Sequence, residues 1–199
     1  MSVDLGSRAA KLREWALQLR MREMVMRATF TDLNREFRTL ASAAGEAHLA
    51  GDVTVATEDH GAVIERILLR AYGQTGELFG ERSVEETTKM LTSIEQKDAE
   101  SIFDERFRRW AASNAAAKVT QIADTTRKQI SRIIESVEGS SVDDVARAIT
   151  NRISSIGRAR AAVIARTEIH TASNAANTMG ANATDVVRRK EWIAASDGR

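Results

Sequence analysis

Not one proline occurs in this chain of 199 residues. Proline is the residue that most reliably ends a helix, because it lacks a backbone N–H and its ring collides with the preceding turn. Alanine, arginine and glutamate are abundant, and these residues favour helices. Only glycines and capping residues remain to stop them. The expected fold is mainly α, an elongated helical bundle with long helices. A small β element near the C-terminus makes it α+β once any C-terminal continuation is included.

The apolar spacing locates the helices. Leu12, Trp15, Leu19, Met26, Phe30, Leu33, Phe37 and Leu40 alternate by three and four, with Arg22 at the one missing position. This predicts a long helix over 7–44, stopped between Gly45 and Gly51. Its aromatic residues are too bulky for a regular two-stranded coil. Trp15, Phe30 and Phe37 are therefore candidate assembly-interface residues. A second helix is expected from about Thr54 to Tyr72, broken by Gly73, Gly76 and Gly80. Ser83-Val-Glu-Glu86 has the form of a capping box and predicts a short helix to Leu91. A long helical stretch follows from Gln96 to Val137, with an interruption near Ala112–Ala116. Ser141 can cap the next helix, which ends near Gly157. A last helix, Arg158 to Met179, carries the small-residue seam Ala162, Ala165, Ile169, Ala172, Ala176 and Met179. Val186–Ile193 reads as a strand, and a lone strand needs partners to be stable. The organisation is a long N-terminal helical arm (1–51), a helical region (52–157) and the opening of a C-terminal domain (158–199).

The formal net charge of +1 hides an uneven layout. Residues 1–51 carry a net +2, residues 52–105 a net −8 and residues 106–199 a net +7. Such asymmetry fits solvated helix faces, a complementary protein partner or, less readily, DNA. No dense basic cluster with interleaved aromatics is present. Without cysteine, disulfides and thiolate metal sites are excluded. No apolar run approaches the ~20 residues that span a bilayer, so no membrane role is expected. The start of the chain lacks a signal-peptide core, being interrupted by Arg8, Lys11, Arg13 and Glu14.

Candidate chemistry is sparse. His48, His60 and His170 have no clustered ligands at metal spacing, and Glu58-Asp59-His60 reads as a solvated first turn. No phosphate loop or nucleophile elbow occurs, and no cofactor is implied. Arg166, Glu168 and His170 are the best site candidates, with Arg166 and His170 four apart on one helix face. The stronger expectation is structural: Arg166 or Glu168 forms a buried ion pair that braces the helix against the Trp192 strand.

The C-terminal third carries a specific combination: Arg158-Ala-Arg-Ala-Ala-Val-Ile-Ala165-Arg166-Thr167-Glu168, then Asn174, then Lys190-Glu-Trp192 ending in Asp197-Gly-Arg199. It resembles the phage head morphogenesis family, the minor head proteins typified by that of phage Mu. Ile122–Ile130 and Glu138–Ala146 are similar to further helix and turn elements of that family. The resemblance implies a structural virion protein, a minor capsid component needed for head assembly and DNA packaging. It would lie in the capsid interior or at the portal vertex, after assembly in the host cytoplasm. The implied partners are the portal and major capsid proteins, further copies of itself and, non-specifically, packaged DNA. Family chains continue past the position of Arg199, so this sequence is expected to stop inside its C-terminal domain. No catalytic residue carries over, and the expectation is a non-enzyme. The alternative is the helical part of an enzyme or toxin, such as an ADP-ribosyltransferase-like protein, whose active half lies beyond residue 199.

Overall fold

The computed structural model describes residues 5–51, 54–89 and 91–185. All regular structure among them is helical: α1 (Leu5–Leu49), α2 (Thr54–Thr75), a π-helical turn (Gly76–Glu81), α3 (Arg82–Thr88), α4 (Ser93–Ser136) and α5 (Val142–Ala183). The expected strand at 186–193 lies outside the described residues.

The helices form an up-down-up-down bundle in which α2, the π turn and α3 share one rod. Antiparallel contacts fix each neighbour. His60 of α2 pairs with Glu36 of α1, and Arg70 with Asp32. Tyr72 of α2 meets Asn114 of α4. Arg152 and Arg160 of α5 reach back to Ser136 and Thr126 of α4. α5 then returns along α1, their interface being the most extensive in the molecule. At ~1.5 Å per residue, the 45-residue α1 is about 67 Å long.

The helix ends follow capping chemistry. Ser141 Oγ accepts from the Asp144 N–H and starts α5. Thr92 and Glu95 form a reciprocal capping box at the start of α4. Gly51 and Gly139 adopt φ of 86° and 85° just past α1 and α4, where a side chain would be strained. The anticipated box at Ser83 does not form, because α3 continues directly from the π turn. Instead, the Ser83 hydroxyl donates to the Asn177 carbonyl of α5.

Several expected breaks are absent because the glycines serve packing. α1 runs through Gly45, where a Cβ would collide with Thr150 Oγ1, and ends at Leu49, within the expected span between Gly45 and Gly51. At Gly76 and Gly80 the rod switches to π geometry instead of ending, and the Phe107 and Phe103 rings of α4 fill the space that side chains there would need. α4 is continuous through Ala112–Ala116. α5 is a single helix of 42 residues that passes Gly157, which packs against Phe37, so the expected boundary at 157–158 falls inside it.

The core runs the length of the bundle. Its middle joins Leu33, Phe37, Leu40, Leu68, Tyr72 and Ile122 to the alanine stripe of α5. One end joins Ala41 and Ala44 to Ile130, Ile133, Ile149 and Ile153. The other joins Phe79, Phe103 and Phe107 to Ala176 and Ala183. The α1 seam is buried only along part of its length. Phe37 is 1 % exposed and Phe30 half-buried, whereas Trp15 is 61 % exposed. No helix among the described residues is long and apolar enough to cross a membrane.

Candidate functional site

The alanine stripe of α5 builds the site. Ala161, Ala165, Ala172 and Ala176 are fully buried, and such small side chains let neighbouring helices approach closely. At the edge of this stripe stands Glu168, a carboxylate only 2 % exposed. Burial of an ionised carboxylate is tolerated when hydrogen bonds and a counter-charge compensate it. Both are present. Glu168 Oε2 accepts from the Tyr72 hydroxyl of α2 at 2.6 Å and from Asn114 Nδ2 of α4 at 3.2 Å. Asn114 Nδ2 also donates to the Tyr72 oxygen at 2.7 Å, closing a triangle. Glu168 Oε1 pairs with Lys118 Nζ at 3.0 Å, one turn along α4.

The Tyr72 side chain is fully buried against Trp110, ring centroids 5.3 Å apart. Burial, then the hydrogen bond to the Glu168 carboxylate and its charge, push the phenol well above the ordinary tyrosine range. The hydroxyl therefore stays a donor to Glu168 at any physiological pH.

A second anchored charge lies two turns back. Arg160 places its guanidinium 5.2 Å from the centre of the Phe37 ring. It donates to Thr126 Oγ1 at 2.9 Å, to Gln129 Oε1 at 3.0 Å and to the Ile122 carbonyl at 3.3 Å. Burial pulls its pKa below the usual guanidinium value. Arg160 and Glu168 both line a cleft of about 470 Å³ between α4 and α5, with Lys118, Ile122, Val163, Ile164 and Thr167 among its other walls. The cleft is mostly apolar, and its charged groups already spend their hydrogen bonds on neighbours inside the bundle.

Of the residues singled out in the sequence, Glu168 and Ala165 are buried, while Arg158, Arg166, Thr167, His170 and Asn174 are exposed on α5. Arg166 and His170 share a solvent face, but the buried pair is made by Glu168 with Lys118. Its brace reaches α2 and α4, and the expected strand partner lies outside the described residues together with Trp192, Asp197 and Arg199. His60, read as a solvated first turn, is instead largely buried in its pair with Glu36 across α1 and α2. Sequence reasoning missed Tyr72, Asn114, Lys118 and Arg160 as a network. Two signals were available: Tyr72 is the chain's one tyrosine, and Asn114 is a lone amide in an alanine run. No group of three or more His, Asp or Glu side chains among the described residues is placed to hold a metal ion.

No family model, no curated protein and no solved structure matches the chain.

Proposed function

We propose that this protein is a structural component of a tailed-phage head, a minor capsid protein that associates with portal and capsid during head assembly and DNA packaging. The observation that carries this reading is the state of the motif glutamate. In the Ala165-Arg166-Thr167-Glu168 element, the one acidic side chain is committed to Tyr72, Asn114 and Lys118. Such a carboxylate braces three helices. It has no free oxygen aimed at a substrate, as a general base or nucleophile requires. A long, rigid, helical surface with opposed charge along the chain suits docking to protein partners. Charge complementarity there would set orientation and encounter rate more than affinity. The +7 C-terminal portion suits a secondary, non-specific contact with packaged DNA, since phosphate contacts carry no sequence information directly.

The competing reading is an enzyme or toxin, and one observation favours it: Arg160 and Glu168 line the same cleft. Against it stand the hydrogen bonds that already occupy both groups. The deciding experiment is to purify heads and portal subassemblies from infected cells lacking this protein. A loss of DNA-filled, infectious heads is expected. Normal yields would remove the assembly role and leave the enzyme reading in front.

A further inference from the structure

We propose that the cleft between α4 and α5 binds a small amphiphilic carboxylate, its hydrocarbon body lying on Ile122, Val163 and Ile164 and its single negative charge at Arg160. This goes beyond the assembly reading and does not depend on it.

The charge of the cleft does not balance. Two cations, Lys118 and Arg160, and one carboxylate, Glu168, line it. Lys118 and Glu168 neutralise each other at 3.0 Å. Arg160 has no such partner among the described residues. The bonds it spends inside the bundle go to the Thr126 hydroxyl, the Gln129 amide oxygen and the Ile122 carbonyl, all of them neutral acceptors. The Phe37 ring adds a neutral π face. These contacts hold the guanidinium in place and ease its desolvation, but they leave its unit of charge uncancelled. In a partly buried wall that charge attracts an anion more strongly than it would in water. Donors also remain for the anion. A guanidinium carries five N–H groups. Two bonds leave from Nη1 and one from Nη2, so the Nε–H and one Nη2–H of Arg160 have no protein acceptor.

The rest of the cleft suits a hydrocarbon. Its volume of about 470 Å³ falls within the ~300–1,000 Å³ of small-molecule sites. Ile122 is buried beneath it, Ile164 is half-buried, and Val163, 62 % exposed, stands at its mouth. The polar side chains Gln121, Thr125 and Thr167 are exposed and form a rim.

The walls also argue against a peptide. Both are long helices, whose backbone N–H and C=O groups are paired within the helix. A peptide laid between them would bury amide groups with no backbone to meet them, which is costly. An alkyl chain has no such groups. A neutral or cationic head would leave Arg160 unmatched, so the fitting occupant is an apolar chain that ends in one carboxylate.

Isothermal titration calorimetry of the purified full chain with octanoate, octan-1-ol and octylamine tests this at neutral pH, and it reads binding without reference to heads. Octanoate should bind one to one with a Kd of about 0.1–1 mM. Octan-1-ol should bind at least ~10-fold more weakly, because it lacks the charge that meets Arg160, and octylammonium should not bind. Val163→Glu places a negative charge at the mouth on an exposed position. It should weaken octanoate at least ~10-fold with an unchanged circular dichroism spectrum. Arg160→Gln should do the same, and Arg160→Lys should restore part of the affinity. If Arg160→Gln fails to fold, Val163→Glu still decides. Three results would each overturn the proposal. One is the absence of saturable octanoate binding. Another is octan-1-ol binding as tightly as octanoate, which would make the cleft merely apolar. The third is octanoate binding that Val163→Glu leaves unchanged, which would put the ligand elsewhere on the molecule.

Discussion

Tyr72 and Glu168, 96 positions apart in the chain, meet hydroxyl to carboxylate at 2.6 Å inside the bundle, and Asn114 donates to both. The contact ties α2, α4 and α5 at one level. A buried polar network of this kind is stabilising only while every member is satisfied.

Glu168→Gln should therefore destabilise the fold by about 2–3 kcal/mol, since hydrogen bonds to a charged group are lost and Lys118 is left without its partner. Lys118 is 27 % exposed and can turn toward water, which keeps the loss below that of a fully buried pair. Arg166→Ala, on the solvent side of the same motif, should change stability by less than ~0.5 kcal/mol. Urea denaturation of both variants checks the contrast, and a reversed order would place the brace at Arg166.

The raised Tyr72 pKa has a definite pH sign. The unfolded chain releases the phenolic proton near its ordinary value of 10.0, and the folded chain only well above it. The stabilising contribution is thus complete below about pH 10 and is lost progressively as pH rises beyond it. Tyr72→Phe should remove that alkaline loss while costing about 1.5–3 kcal/mol at neutral pH. Because the chain has one tyrosine, phenolate absorbance reports it directly. Absorbance should rise together with unfolding. Titration of the folded protein near pH 10 would contradict the buried network.

Glycine substitutions should split in sign. A Cβ at Gly180 would lie 2.5 Å from the Gly80 carbonyl oxygen, a backbone atom that cannot turn aside. Gly180→Ala should cost ~1–3 kcal/mol by overpacking. Gly73 is exposed in α2 with open space around it, so Gly73→Ala should stabilise by ~0.5–1 kcal/mol. Thermal melts of the two proteins should move in opposite directions.

The α1 seam should show a break between residues 19 and 26. Phe37→Ala should cost ~3–5 kcal/mol, as for other buried phenylalanines. Trp15→Ala should leave the monomer within ~0.5 kcal/mol of wild type. Chemical denaturation at low protein concentration separates the two, and a large loss at Trp15 would mean that this end of the α1 seam is covered within one chain.

The helical character and most helix starts were legible because they depend on neighbours in sequence. The proline-free composition, the Ser141 cap and the α5 alanine seam are local facts with local consequences. The glycines were misread for the opposite reason. Gly76, Gly80 and Gly157 look like breakers in one dimension, and only the positions of Phe107, Phe103 and Phe37 on other helices explain them. The same holds for the site. Glu168 stood out as a motif member, but its partners lie on α2 and α4, and no spacing rule joins Tyr72 or Asn114 to it. The α1 seam was read as continuous because periodicity records which face is apolar, and tertiary packing decides how much of that face is covered.

The partnership of α1 with α5 sets the order of events on the ribosome. Translation at ~5–20 residues per second separates completion of α1 from completion of α5 by roughly 7–27 s. For about the first 5–19 s of that interval Ala41 and Ala44 lack Val145, Ile149 and Ile153, the α5 residues that complete their end of the core. The first helix made is among the last to be enclosed, so the growing chain presents a long apolar face to chaperones and to neighbouring nascent chains before it can bury that face in itself.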